Sequence, residues 1–211
     1  MSMTFYYAPM TSATRIHWAL EELGVPYEKV KLDLGAGDQK KPEYLALNPN
    51  GKVPRLVVDG TPVFESLAIL LYLGETYGVD KGVYPAPGLA RAEALKWMAW
   101  ASVSLGDAMM RIIRNLSERF PAEQRNVPAG EQAKKDAQEL WGMVDRALEG
   151  KEYLVGKSFT LVDLAVGGFV MISSRFGVDL GAYKNVQAWS ARCNARPALG
   201  RVMGEYMGGG R

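Results

Sequence analysis

The run from Asn48 to Ser66, NPNGKVPRLVVDGTPVFES, constrains the fold more than any other part of the chain. It reads as a loop ending at Val53-Pro54, a strand, a tight turn, a second strand and a helix that starts at Ser66. Pro54 stands at a strand entrance, just before Leu56, Val57 and Val58, where a missing N–H is tolerated. A cis bond there turns the N–H and C=O of Val53 outward, where they can pair with an extended peptide. Ser66 opens a helix, and the N–H groups of a helix start can hold a carboxylate. A backbone-pairing edge and a carboxylate holder across one hairpin describe a site for a small acidic peptide.

The residues around this segment alternate strand and helix signals. Thr4 to Tyr7 is a short aromatic strand. Thr11 and Ser12 supply helix-start chemistry, and Ile16, Ala19, Leu20 and Leu23 recur at helical spacing until Gly24. Tyr27 to Leu32 alternates apolar and polar, as a half-buried strand does. Asp38 to Leu47 is a short helix at best. Asp59-Gly60 is a hairpin turn signal between Arg55–Val58 and Pro62–Phe64. An apolar helix runs from Ser66 to Tyr77. The resulting order, βαβαββα, is that of a thioredoxin-like domain over residues 1–78.

Beyond it, GVDKGVYPAPG is rich in Gly and Pro, and residues 79–88 read as a linker. Strand signals then vanish, and residues 89–211 are expected to form an all-helical domain. One long helical pattern covers Leu89 to Arg119 and a second covers Glu131 to Leu148. Thr160 to Ser174 is apolar nearly all round, so that helix should be central and buried. Gly167-Gly168 inside it suggests close approach of another backbone. Asn185–Ala195 and Ala198–Met207 complete the domain. Thr160 and Asp163 form a capping pair, with Phe159 and Leu164 placed as the hydrophobic staple around it. That motif starts a core helix and carries no chemistry.

Charge and cysteine count narrow the function classes. The 211 residues carry a net charge of +2, with 7 basic and 10 acidic side chains in residues 1–80 and 18 and 13 in residues 81–211. The signs are interleaved, with no block that suggests nucleic acid or an anionic membrane. The one cysteine, Cys193, excludes an internal disulfide framework, and the one histidine, His17, cannot make a histidine-based metal site. No metal is expected. No uncharged run is long enough to span a bilayer, and MSMTFYYAPM shows no cleavable leader, so the expected location is the cytoplasm.

Three segments carry a resemblance to a known family. NPNGKVP with its hairpin and ESLAILLYL resembles the glutathione-binding half of cytosolic glutathione S-transferases. FYYAPMTSATRIHWALEELGVPYE is similar to that family's first strand, catalytic loop and first helix. GKSFTLVDLAVG, from Gly156 to Gly167, is similar to its C-terminal folding motif. The resemblance spans the whole chain with the segments in order. It implies an α/β thioredoxin-like domain followed by an all-α domain, a homodimer, and glutathione as co-substrate for attack on small hydrophobic electrophiles. A non-catalytic glutathione- or ligand-binding protein, or a glutathione-dependent isomerase, dehalogenase or peroxidase, are the alternatives on the same scaffold.

The resemblance also assigns residues. Val53, followed by Pro54, would pair its backbone with the cysteinyl unit of glutathione. Glu65 and Ser66 would hold the γ-glutamyl end. Lys52 and one of Gln39 or Lys40 would reach the glycyl carboxylate. The hydroxyls near the sulfur are Tyr6, Tyr7, Thr11 and Ser12. Ser12 is the first choice as thiolate donor, then Thr11, then Tyr7, with a plain helix cap as the competing role for Ser12. The loop has no cysteine, unlike the cysteine-type bacterial pattern, which disfavours a mixed disulfide with glutathione. A His-Lys pair of that pattern falls at Gly106 and Asp107, so its contribution is lost. The electrophile pocket is expected between the domains, with Met10, Trp100, Met109, Met110 and Ile113 as candidates.

Overall fold

The computed structural model describes residues 2–208. Four strands form one sheet in the order β2-β1-β3-β4: β1 (Met3–Tyr7), β2 (Glu28–Lys31), β3 (Arg55–Val58) and β4 (Thr61–Phe64). β1 runs parallel to β2 and antiparallel to β3, and β3 pairs antiparallel with β4 around the Asp59-Gly60 turn. Helix α1 (Ala13–Leu23) follows β1, the short α2 (Pro42–Leu45) follows β2, and α3 (Ser66–Leu73) follows β4. The thioredoxin-like order βαβαββα is therefore present.

Alternation along β1 makes the sheet two-faced. Phe5 is fully buried, and its ring lies 5.3 Å from Tyr7 and 5.7 Å from His17 of α1. Tyr6 points to the other face, where its ring is 5.9 Å from Tyr44 of α2 and 4.4 Å from the guanidinium carbon of buried Arg55. β2 departs from the half-buried expectation. It is an edge strand with Val30 partly buried and its other residues exposed.

The helical region holds α4 (Leu89–Trp100), α5 (Gly106–Leu116), α6 (Val127–Ala147), α7 (Leu161–Gly167), α8 (Val170–Arg175), α9 (Lys184–Asn194) and α10 (Pro197–Gly208). The long pattern expected from Leu89 onward is divided: a π-helical turn, Ala101–Leu105, separates α4 from α5. α6 starts four residues before Glu131, because the Asn126 side chain accepts from the Ala129 N–H at 3.1 Å and Pro128 suits a first turn. Thr160–Ser174 is two helices, and all residues from Leu161 to Val166 are buried. The close neighbour of Gly167 is a ring and not a backbone: a Cβ there would lie 3.4 Å from Trp189.

Two compact units emerge, one of residues up to Tyr84 together with Ala195 onward, the other Pro85–Asn194. A division at residues 79–88 groups α10 with the helical domain, whereas α10 packs on α1 in the first unit. Arg196 forks onto Glu22 at 2.6 and 2.8 Å, and Arg201 holds Glu21 at 2.9 Å, fixing that helix along α1.

Candidate functional site

The first turn of α1 and the loop before it set the geometry. Met10 adopts φ 58° and is exposed. Thr11 takes over the local helix-start bonds: its Oγ1 donates to the Ala8 carbonyl at 2.7 Å and accepts from the Ala13 N–H at 3.2 Å. Ser12 occupies the N-cap position but makes no cap bond. Its hydroxyl instead crosses to the next loop and donates to the Val53 carbonyl at 3.2 Å. The helix start is served by Thr11, so Ser12 is released from capping.

Tyr7 is directed elsewhere. Its hydroxyl donates to Glu205 Oε1 of α10 at 3.0 Å. Burial first, then the Glu205 carboxylate, push the Tyr7 phenol up to about 12. Glu205 also pairs with Lys29, and its Oε2 lies 3.9 Å from His17 Nε2. His17 Nδ1 is 3.0 Å from the Tyr206 hydroxyl. Tyr6 is stacked with Arg55 on the opposite sheet face.

The Val53-Pro54 bond is cis. Val53 is half-buried, Pro54 buried and Lys52 exposed. The loop before them is held by the Lys52 carbonyl, which accepts from the Tyr44 hydroxyl at 2.6 Å and from Asn48 Nδ2 at 2.7 Å. Gly51 sits at φ 57°, and a Cβ on it would lie 2.8 Å from Lys40 Nζ. The lysine end could swing away, but the same Cβ would also lie 2.9 Å from the Gln39 carbonyl oxygen, so glycine is required both by conformation and by that backbone. Gln39 Nε2 reaches the Leu34 carbonyl at 3.4 Å, and its buried Oε1 has no hydrogen-bond partner.

At the other end of the hairpin, Glu65 holds φ 69° and ψ 120°, a backbone state that costs energy for a non-glycine residue. It immediately precedes α3. The Ser66 hydroxyl accepts from Arg15 Nη2 at 3.3 Å. Arg15 lies one helical turn beyond Ser12. One turn of α1 therefore touches both Val53, through Ser12, and Ser66, through Arg15. Val53, Ser66 and Ser12, expected from the sequence as the backbone-pairing edge, the carboxylate holder and the first-choice hydroxyl, are brought together in the first unit.

The pocket candidates fall differently. Met109 is buried in the second unit, where its sulfur accepts from Ser173 Oγ at 3.5 Å and that oxygen accepts from Trp141 Nε1 at 2.9 Å. Met110 is exposed, and Ile113 and Trp100 are half-buried, with Trp100 edge-on to Trp97 at 5.3 Å. Asp107 is paired with Arg111 at 2.8 Å. Cys193 is buried. Among the described residues no cluster of His, Cys, Asp or Glu is placed to hold a metal, and no helix is long and apolar enough to cross a membrane.

Sequence reasoning missed Arg15 and Glu205. Arg15 reads as one charge on an amphipathic helix, and Glu205 meets Tyr7 across 198 residues, a separation that no local pattern encodes.

Comparison with known proteins follows the same division. Residues 1–75 match the glutathione S-transferase N-terminal domain, and residues 104–197 match the glutathione S-transferase C-terminal domain. The chain is 32% identical over 206 residues to the disulfide-bond oxidoreductase YfcG of Escherichia coli, covering 94% of this chain and 93% of that one. It is 32% identical over 195 residues to the Escherichia coli glutathione S-transferase GstB, covering 92% and 93%. A glutathione transferase homologue from Sulfitobacter, solved with bound glutathione, superposes with a TM-score of 0.85 at 25% identity, over 98% of this chain and 99% of that one. With its thioredoxin-like sheet, helical second unit and these matches over nearly its full length, the chain belongs to the glutathione S-transferase family.

Proposed function

We propose that the chain is a glutathione transferase: it binds glutathione in its first unit, holds the sulfur as a thiolate and conjugates it to small hydrophobic electrophiles. We propose further that it works as a cytoplasmic homodimer. The observation that carries this reading is the bond from the Ser12 hydroxyl to the Val53 carbonyl at 3.2 Å. It places a proton donor beside the backbone group expected to pair with the cysteinyl unit. The bound glutathione of the Sulfitobacter homologue supports the ligand.

The chemistry follows from the residues. An ordinary thiol near pKa ~8.5 is only a few per cent thiolate at neutral pH. Lowering that value by about two units corresponds to roughly 2.7 kcal/mol. A hydrogen bond to the charged sulfur contributes about 1.5–3 kcal/mol, and the start of α1 adds up to roughly 1. In the chain alone the Ser12 proton rests on the Val53 carbonyl. A cysteinyl N–H that donates to the same carbonyl competes with Ser12 and frees its hydroxyl to turn to the sulfur. The thiol proton leaves to solvent. The sulfur lone pair then forms the C–S bond, and the leaving group departs with its bonding pair. Thr11 and Tyr7 are less suited, because their protons are held by Ala8 at 2.7 Å and by Glu205 at 3.0 Å.

Glu65 and Ser66 hold the γ-glutamyl end in this reading. Lys52, with Lys40 or Gln39, serves the glycyl carboxylate. Met10 of the first unit and Trp100, Met110 and Ile113 of the second are the candidate contacts for the electrophile, and buried Met109 serves as packing within its own unit.

A second reading, disulfide reduction, is favoured by the likeness to the oxidoreductase YfcG. Cys193 is buried, so both electrons would come from glutathione: two glutathiones and a disulfide give two thiols and oxidised glutathione. A panel containing a chromogenic aryl halide and a small dialkyl disulfide tests both. Conjugation of the halide with ordinary saturation in glutathione supports the transferase. Turnover of the disulfide alone supports the second reading. Retention on immobilised glutathione without turnover of any panel member identifies a binding protein.

A further inference from the structure

Glutathione brings two carboxylates and an ammonium, and the γ-glutamyl α-carboxylate is the one assigned here to Ser66. A serine hydroxyl and the N–H groups of a helix start are neutral donors. They satisfy the oxygens of a carboxylate but supply little of the counter-charge that a partly desolvated anion needs. Nothing in the first turn of α3 supplies it either: that turn is Ser-Leu-Ala-Ile, and Glu65 before it is an acid. The cation that the structure ties to this point comes from α1. Arg15 Nη2 donates to Ser66 Oγ at 3.3 Å, the oxygen that would face the incoming carboxylate.

We propose that Arg15 is a glutathione-binding residue whose guanidinium provides the positive charge of the γ-glutamyl carboxylate subsite, and so selects ligands that carry that carboxylate. The proposal rests on the reading of Glu65 and Ser66 as the γ-glutamyl subsite. Three features support it. The planar fork of a guanidinium holds a hydroxyl and a carboxylate oxygen side by side, a geometry that the point charge of lysine does not reproduce. Arg15 is partly buried, and burial lowers its pKa from the usual arginine value to about 10. It is still a cation at neutral pH, in surroundings where a charge pair is stronger than in water. Finally, Arg15 stands one turn from Ser12, so the same short piece of α1 would fix both ends of the cysteinyl-to-γ-glutamyl half of the ligand.

The competing role is a strut that merely ties α1 to α3. The two are separated by measuring affinity, by titration calorimetry, for glutathione and for 4-aminobutyryl-cysteinyl-glycine, which lacks only the γ-glutamyl α-carboxylate. The wild-type protein, Arg15→Met and Arg15→Lys are compared. For Arg15→Met we expect glutathione affinity to fall roughly ten- to a hundredfold and analogue affinity to change by less than about threefold. Arg15→Lys should give an intermediate ratio, and it serves alone if Arg15→Met does not fold. The bound thiol should keep its titration in both variants, since the proposal gives Arg15 no contact with sulfur. Equal weakening of both ligands makes Arg15 a strut and overturns the proposal, as does an unchanged ratio in Arg15→Lys. Wild-type protein that binds both ligands equally well overturns the assignment of Ser66 to the carboxylate, and the proposal with it. Wild-type protein that binds neither overturns the glutathione site itself.

Discussion

The starts of α7 and α1 both carry a hydroxyl side chain, and they use it in opposite ways. At α7 every polar atom is turned inward on the helix start and its neighbours. Thr160 Oγ1 accepts from the Val162 N–H at 3.3 Å. Asp163 Oδ2 accepts from the Thr160 N–H at 2.9 Å and from its hydroxyl at 3.0 Å. Oδ1 accepts from the Leu154 N–H at 2.9 Å and from Trp189 Nε1 at 2.8 Å. The carboxyl is fully buried, and burial raises its pKa against the pull of these bonds. At α1 the work of the helix start falls on Thr11, while Ser12 spends its hydroxyl on Val53, 41 residues away. A hydroxyl whose bonds close within its own turn is structural. One that reaches across to another loop, where a ligand can compete for the acceptor, is available for chemistry.

The largest expected effect tests the structural side. Asp163→Ala leaves four buried donors without an acceptor, each costing about 1–3 kcal/mol when unsatisfied. Loss of about 3 kcal/mol or more is expected, or roughly 6–12 °C in Tm for a chain of this size. Thermal unfolding of the variant checks it, and an unchanged Tm would show that the inward network is not what holds α7 in place.

A smaller effect sharpens the other side. In the proposed function Ser66→Ala removes a hydrogen bond to a charged ligand group, and with it the acceptor of the Arg15 bond, but no bond within its own helix start. Glutathione affinity should fall by roughly 1–2 kcal/mol with Tm nearly unchanged. Calorimetry with glutathione decides it. Unchanged affinity would remove Ser66 from the site, and a large drop in Tm would class this helix start with α7.

The smallest effect concerns the buried face of α1, where His17 lies among Phe5, Tyr7, Tyr27 and Tyr206 and faces Glu205, Lys29 and Glu21. Burial lowers its pKa below the ordinary ~6.5, with Glu205 opposing. The unfolded chain therefore takes up the proton more readily than the folded one. Stability from this group is present above about pH 6.5 and is lost as the pH falls through the lower folded value. Denaturant unfolding should show that acid-side loss in the wild type and a flatter profile in His17→Gln. An identical profile in the variant would assign the loss to carboxylates and leave His17 as plain packing.

Much of this was legible in the sequence because it was local. The Val53-Pro54 loop, the Asp59-Gly60 hairpin, the helix opening at Ser66 and the Thr160/Asp163 capping pair each declare themselves within a few residues. The departures have physical reasons. A π-helical turn at Ala101–Leu105 keeps helical backbone angles, so the pattern from Leu89 onward reads as unbroken. The break between α7 and α8 falls in a run that stays apolar throughout, which hides it from periodicity. The bond between Thr11 and Ala13, which frees Ser12 from capping, depends on which of two adjacent hydroxyls turns inward, and sequence spacing does not distinguish them. Arg15 at Ser66 and Glu205 at Tyr7 are pairings across 51 and 198 residues, set by how α1, α3 and α10 pack.

We propose from the contrast between the two helix starts that Ser12 is the donor to the sulfur, and the thiolate absorbance of the protein–glutathione complex against pH tests that most directly. Wild type, Ser12→Ala, Thr11→Ala and Tyr7→Phe are titrated side by side. The expected result is that Ser12→Ala alone raises the bound thiol's pKa, by about one to two units, and slows conjugation at neutral pH roughly ten- to a hundredfold. A shift in Thr11→Ala or Tyr7→Phe with none in Ser12→Ala would contradict the account and return Ser12 to a structural role.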